Sequence, residues 1–269
     1  MTVAYALYDW TGPPFGLGIM LVSVLGQLDV WDLNGCKLPV YVRASSGTNL
    51  CLDPLAGPNV WDYWFEQPSG VYPPLEFVGM PHQPRWTLSG HSKWDLEARA
   101  RIRHIASKYV RVKDDVIKEV NAFCAGFNPG TTLAVQLRGT DKHEEAFRYG
   151  EAKRVPDVEV LRRVEELRAE TALSDVYGMT DDTAYADLLR SLGAHVRDIP
   201  RGAPDGANLL QQRPGVQTGR DSLIDALVAA RCAAFAHTPT NMASVVNAFG
   251  SFDEEFVIHP FEPWTGPRR

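Results

Sequence analysis

Apolar and polar positions recur along this chain with two alternating periods, most clearly in its second half. The apolar run Leu133-Ala134-Val135, with Leu137, predicts a buried strand over Thr132 to Leu137. Asp157 to Glu170 then places Val158, Val160, Leu161, Val164 and Leu167 on one helical stripe. Asp175 to Met179 predicts a strand, and Thr183 to Leu192 a helix that Gly193 can cap. His195 to Ile199 reads as a further strand closed by Pro200. Asp221 to Arg231 predicts a helix, Ala233 to Ala236 a short buried strand, Thr240 to Phe249 a helix, and Glu255 to Ile258 a last strand. Such βαβ alternation implies a parallel sheet with helices on both faces.

The first half follows the same grammar more loosely. Val3 to Tyr8 is strand-like, and the turn Gly16-Leu17-Gly18 leads into a helix from Leu17 to about Leu33, ended by Asn34-Gly35. Pro39 to Arg43 predicts a second strand. Asp53 to Gly90 is rich in Pro, Gly and aromatics, the signature of a long functional loop or a linker. Within it, Trp61, Tyr63, Trp64 and Phe65 suit either core packing, the commoner role, or a platform for sugar rings. Trp94 to Ala125 predicts one or two helices broken near Tyr109 to Lys113, and a domain boundary is expected close to Gly126.

Composition narrows the classes. With 269 residues, 45% hydrophobic and 22% charged, the chain is ordinary globular material for one large domain or two modest ones. A net charge of −6 argues against a broad nucleic-acid surface, while leaving room for a local positive pocket. Met1 to Trp10 lacks a basic segment followed by an apolar core, so no signal peptide is expected. The most apolar window, Phe15 to Leu28, is too short and glycine-interrupted to span a bilayer. Cys36, Cys51, Cys124 and Cys232 show no CxxC spacing, which favours buried thiols in a reducing cytoplasm. No zinc motif, GxGxxG after a strand or GxSxG elbow occurs, so a Rossmann dehydrogenase and a serine hydrolase are not expected.

The candidate chemistry gathers where strands should stop. Arg138, Thr140 and Lys142 emerge at the end of the Thr132–Leu137 strand, and ligands of open α/β sheets bind outside the carboxyl ends of the strands. A guanidinium fork and an ammonium suit a phosphate; the alternative is a turn with solvated charges. Thr238 and Thr240 precede a helix, whose free N–H groups favour an anion; the alternative is simple capping by Thr240. Asp181 and Asp182 start another helix. Neighbouring side chains in extended backbone diverge, so capping is favoured over metal chelation and no metal is expected. Asp225 reads as a solvated acid near a helix N-terminus, stabilised by the helix dipole. Glu144 and Glu145 read as a solvated pair in a charged loop.

The segment Gln136-Leu137-Arg138-Gly139-Thr140-Asp141-Lys142 resembles the His-Val-Arg-Arg-Thr-Asp-Lys signature of the α-1,6-fucosyltransferase superfamily, which includes the NodZ-type and core fucosyltransferases and, more distantly, the protein O-fucosyltransferases. Gly16-Leu17-Gly18, Pro39-Val40-Tyr41-Val42 and Trp61-Asp62-Tyr63-Trp64-Phe65-Glu66 recur there in the same order, so the resemblance covers most of the chain. It implies an α/β, GT-B-like fold of two Rossmann-type lobes with parallel sheets and an intervening cleft: residues 1–125 on the acceptor side and 126–269 binding the nucleotide sugar. It also implies that Arg138 holds the β-phosphate of GDP-fucose, while Gln136 stands at the guanine-holding histidine and Gly139 at the second arginine. Ala236-His237-Thr238-Pro239-Thr240-Asn241 is similar to the family's Thr-Phe-Ser-Ser-Gln stretch, giving Thr240 the diphosphate contact and Asn241 the glutamine position. Asp225 falls at a guanine-binding aspartate, and Glu144-Glu145-Ala146-Phe147 at the glutamate proposed as base.

The resemblance therefore implies a metal-independent inverting transferase. It would need no cofactor beyond a GDP-sugar donor, most plausibly GDP-fucose, and would act on a hydroxyl acceptor (glycan, lipid-linked sugar, peptide or small natural product). Arg138 and Lys142 would neutralise the departing diphosphate, and Glu144 or Glu145 would take the acceptor proton. The alternatives are a non-catalytic nucleotide-sugar-binding protein of this fold and a transferase for another nucleotide sugar.

Overall fold

The computed structural model describes residues 3–8, 15–35, 37, 39–45, 47–70, 76–79, 96–139, 154–203, 209–250, 252 and 254–258. They group into two units that interleave along the chain. The first comprises Met1–Phe127, Leu209–Arg231 and Asn241–Ser251, the second Asn128–Asn208, Cys232–Thr240 and Phe252–Arg269. Two segments of the C-terminal half thus cluster with the N-terminal one.

The first unit holds a parallel sheet of β1 (Val3–Tyr8), β2 (Val40–Arg43) and β4 (Glu76–Gly79) in the order β2-β1-β4, with Tyr5 opposite Val40 and Val3 opposite Glu76. Between β1 and β2 runs α1 (Leu17–Leu33). Its buried residues include Leu17, Met20, Leu21, Val24, Leu25 and Leu28, as an almost wholly apolar helix requires. It stops at Gly35, which adopts a left-handed φ of +58° and donates to the Asp32 carbonyl. A short helix α2 (Trp61–Trp64) and strand β3 (Phe65–Glu66) follow, β3 pairing antiparallel with β5 (Arg111–Val112). Trp61, Trp64 and Phe65 are fully buried, so these rings are core and not an acceptor platform. The helical region breaks as expected, into α3 (Leu96–Tyr109) and α4 (Asp114–Cys124).

The free edge of β2 is closed by side chains. Gln67 accepts from the Val42 amide (2.8 Å) and donates to its carbonyl (3.1 Å), while Asn59 accepts from the Ala44 amide (2.7 Å) and Ser69 from the Val40 amide (2.8 Å). An open edge would be a template for pairing with another chain; side-chain amides occupy this one. Short helix α7 (Leu209–Gln212) and α8 (Val216–Ala229) lie in the same unit. Arg220 of α8 reaches Asp115 (2.9 Å) and Glu119 (2.6 Å) of α4. The last helix of this unit is α9 (Asn241–Phe249), whose Asn247 carbonyl accepts from Arg103 of α3 at 3.0 Å.

The second unit is a five-stranded parallel sheet in the order β10-β9-β6-β7-β8: β6 (Thr132–Leu137), β7 (Asp175–Thr180), β8 (His195–Val196), β9 (Ala234–His237) and β10 (Glu254–Val257). Helices α5 (Asp157–Thr171) and α6 (Thr183–Ser191) connect β6 to β7 and β7 to β8. The α/β class with parallel sheets is the one the sequence implies. Three local differences have clear causes. Val158 is 74% exposed, because at 100° per residue it sits about 200° around α5 from buried Val160. β8 ends at Val196, since the Arg197 and Ile199 carbonyls accept from the Arg201 guanidinium at 2.8 and 3.0 Å instead of from a strand. α8 starts at Val216, after Gly215 with φ +122°, so Asp225 lies deep in the helix and not near its N-terminus.

Two stability measurements test this packing. Gln67→Ala strips the Val42 amide of its buried partner, while the Val42 carbonyl keeps Asn59 at 2.9 Å, and should cost about 1–3 kcal/mol in urea unfolding; a negligible change would mean that water covers this edge. Asp32 of α1 accepts from Lys108 (2.6 Å), Tyr109 and Arg101 (2.8 Å) of α3. The Lys108 contact foremost, then Tyr109 and Arg101, hold its carboxyl well below the usual carboxylate range. A carboxyl lowered on folding stabilises above its unfolded value of about 3.9 and loses that contribution as pH falls below it. Asp32→Asn should therefore be less stable than the parent at pH 7, with the gap narrowing between about pH 5 and pH 2; a gap independent of pH would refute this role.

Candidate functional site

In the second unit, three neighbouring parallel strands, β9, β6 and β7, deliver their carboxyl ends to one edge of the sheet. β6 is buried throughout, so its first charged side chain comes one residue past its end, at Arg138. The strands remain tied beyond their last ladder pairs. Thr238 donates its amide to the Gln136 carbonyl at 3.0 Å, and Arg138 donates its amide to the Thr238 hydroxyl at 3.2 Å. Thr240, immediately before α9, donates its hydroxyl to the Gln136 side-chain carbonyl at 3.4 Å. Of the sequence-predicted residues, Gln136, Arg138, Thr238 and Thr240 therefore meet in one place.

Arg138 is held from the β7 side. Its Nε lies 3.3 Å from Asp181 Oδ2, and Asp181 Oδ1 accepts from the Gly139 amide at 3.1 Å. A single carboxylate thus fixes both the backbone and the guanidinium at the end of β6. Asp182 turns the other way, as neighbouring extended side chains do. It caps α6 by accepting from the Tyr185 amide at 3.1 Å, as the sequence predicts, and pairs with Arg154. Arg154 also lies 3.9 Å from the centre of the Tyr185 ring, and burial pushes the Tyr185 phenol well above its usual range. The turn carrying both aspartates is pinned from behind. Gly202 donates to the Asp181 carbonyl (2.8 Å), and Arg201 donates to the Thr180 carbonyl (3.1 Å).

On the other side of β9 sits a pair that sequence reading missed. His237 is wholly buried, its Nε2 2.7 Å from Glu255 on β10 and its Nδ1 3.1 Å from the Thr238 carbonyl. Both ring nitrogens therefore face oxygen atoms, one of a carboxylate and one of the backbone. Arg154, His237 and Glu255 carry no motif; only the Asp181-Asp182 dipeptide signalled this part of the site, and it signalled a cap or a metal. Among the described residues, no three His, Cys, Asp or Glu side chains gather as metal ligands.

The remaining candidates fall elsewhere. Lys142, Glu144 and Glu145 lie outside the described residues. Asp225 and Asn241 belong to the first unit. Asp225 is 3% exposed, in contrast to a solvated acid. Asn241 opens α9 beside the first turn of α1, where a Cβ on Gly18 would come within 3.3 Å of the Asn241 Cβ. That close approach is what the Gly16-Leu17-Gly18 turn permits. No helix among the described residues is long and apolar enough to cross a membrane.

No protein-family model matches this chain, and no curated protein sequence does. Solved structures do. NodZ fucosyltransferase from Bradyrhizobium superposes with a TM-score of 0.53 at 15% identity, over 92% of this chain and 93% of that one. NodZ α-1,6-fucosyltransferase soaked with GDP-fucose gives 0.50 at 14% identity, covering 92% and 93%. POFUT1 in complex with GDP gives 0.50 at 11% identity, covering 95% and 98%. The α/β fold implied by the sequence is thus one that this chain shares, over nearly its whole length, with solved fucosyltransferases.

Proposed function

We propose that this chain is a glycosyltransferase that takes a GDP-sugar, GDP-fucose first among them, and transfers the sugar to an acceptor hydroxyl with inversion and without a metal ion. One observation carries the reading. Arg138 is clamped at the carboxyl end of β6 by Asp181 and Thr238, beside Thr240, in a fold shared with NodZ soaked with GDP-fucose and POFUT1 in complex with GDP. A guanidinium and hydroxyls at that edge suit a diphosphate.

In the proposed reaction the acceptor oxygen attacks the anomeric carbon from the face opposite the nucleotide. The bond to the β-phosphate oxygen breaks with its electron pair, and charge appears on the diphosphate. Arg138 and Lys142 neutralise that charge, with Thr238 and Thr240 as hydroxyl partners, and Glu144 or Glu145 takes the acceptor proton. Gln136 is assigned to the base side of the nucleotide, as are Asp225 for guanine and Asn241 next to Thr240. Metal independence is supported by the use of the adjacent carboxylates: Asp181 is engaged by Arg138 and Asp182 by Arg154. The free thiols of Cys51 and Cys124 suit a reducing cytoplasm.

The test is calorimetric titration with GDP, followed by nucleotide release from GDP-fucose across a panel of glycan, peptide and small-molecule acceptors. Binding and release are both expected. Arg138→Ala should lower turnover about 100-fold, the usual cost of one preorganised charge contact, with an unchanged melting profile. Thr238→Val, which removes the acceptor of the Arg138 amide, should weaken GDP binding in the same direction but less. GDP binding without release or transfer would identify a binding protein of this fold, and unchanged turnover in Arg138→Ala would eliminate the mechanism.

A further inference from the structure

Gly139 has no left-handed backbone to explain it; its explanation is space. A Cβ at this position would overlap the Asp182 carboxylate and lie 2.6 Å from a terminal nitrogen of Arg154. The residue after Arg138 is therefore glycine in a volume that an ion pair already fills. That ion pair is unusual in its burial. Asp182 is 0% exposed, and the Arg154 side chain only 19%. Stripping a buried carboxylate of its cation leaves an uncompensated charge, which is among the costliest local changes in a protein. Arg154 is itself fixed by the Tyr185 ring and by Asp157 at 3.6 Å.

Two aspartates in sequence meet two arginines, and the pairing is sorted. Asp181 takes Arg138 and the Gly139 amide; Asp182 takes Arg154 and the α6 amide of Tyr185. The sorting matters because the two carboxylates share one turn. With Arg154 absent, the buried Asp182 charge would pull that turn toward whatever cation or water it could reach, and Asp181 would move with it.

We propose that Arg154 is the positioning residue of this site: lodged in the space that Gly139 leaves open, it neutralises Asp182 and thereby holds the Asp181 carboxylate where it aims Arg138 at the donor diphosphate. This rests on the donor reading above. Arg154 acts through Asp182 and Asp181, and takes no part in the bond-making step. Gly139 and Arg154 are two halves of one device, so enlarging the glycine should do the same harm as removing the arginine.

The test compares wild type, Arg154→Ala, Arg154→Lys and Gly139→Ala by two readouts. The first is GDP affinity by calorimetry. Arg154→Ala and Gly139→Ala should each weaken binding about tenfold or more, as small misplacements of a positioned group do, and Arg154→Lys, which restores the charge, should recover part of the loss. The second needs no ligand: hydrogen exchange at the Gly139 amide, which donates to Asp181. It should quicken about tenfold in Arg154→Ala, while the Val135 amide in the middle of β6 keeps its protection. Wild-type affinity with unchanged Gly139 exchange in Arg154→Ala overturns the proposal and leaves the donor reading standing. Quickened exchange at both amides overturns positioning in favour of a role in global stability. Wild-type protein that does not bind GDP overturns the donor reading and the diphosphate part of this proposal with it, whatever the exchange at Gly139.

Discussion

A central strand of a parallel sheet that is buried on both faces has nowhere to send a charge until it ends. β6 obeys this constraint along its whole length, pairing with β7 and β9 and burying every residue from Thr132 to Leu137. Its polar chemistry is displaced to the residues just beyond, where the ladder to β9 continues through Thr238 and the turn after β7 brings Asp181 against Arg138. Every other feature of the site follows from that crowding at one sheet edge. Groups far apart in sequence, at 136, 181 and 238, meet because their strands are neighbours.

Among the described residues, charge at this edge is paired locally. Arg138 and Arg154 face Asp181 and Asp182, one guanidinium to each carboxylate. The Asp181 carboxylate orients the Arg138 guanidinium through its Nε and fixes the backbone beside it through the Gly139 amide. Arg201 offers three carbonyl contacts behind the same turn, so the aspartates sit on a backbone with little freedom.

The first unit uses polar groups for a different purpose. Gln67, Asn59 and Ser69 close the edge of β2, and Arg101 and Lys108 meet Asp29 and Asp32 across α1 and α3. Arg220 ties α8 to α4. These contacts join segments more than sixty residues apart in the case of Arg101 and Asp32, and so explain how late helices are recruited into a unit that begins at the N-terminus.

Local pattern made much of this legible. The buried run at 132–137, the helical stripe through Val160, Val164 and Leu167, and the broken helix pair around residue 110 stand in the structure within a residue or two of the sequence reading. These elements were readable because periodic burial is written in neighbouring residues. That Arg138, Thr238 and Thr240 come together was readable because strand ends in an α/β sheet share an edge. The short strands at Phe65 and Glu76 were not, since proline and aromatic density hid them. Nor were the Arg154–Asp182 pair, the His237–Glu255 pair and the confinement of Gly139. Sequence by itself determined which segments are strands or helices and where charge must surface; only the tertiary structure decided which carboxylate each cation meets, because ion pairing depends on distances through space that no spacing along the chain encodes.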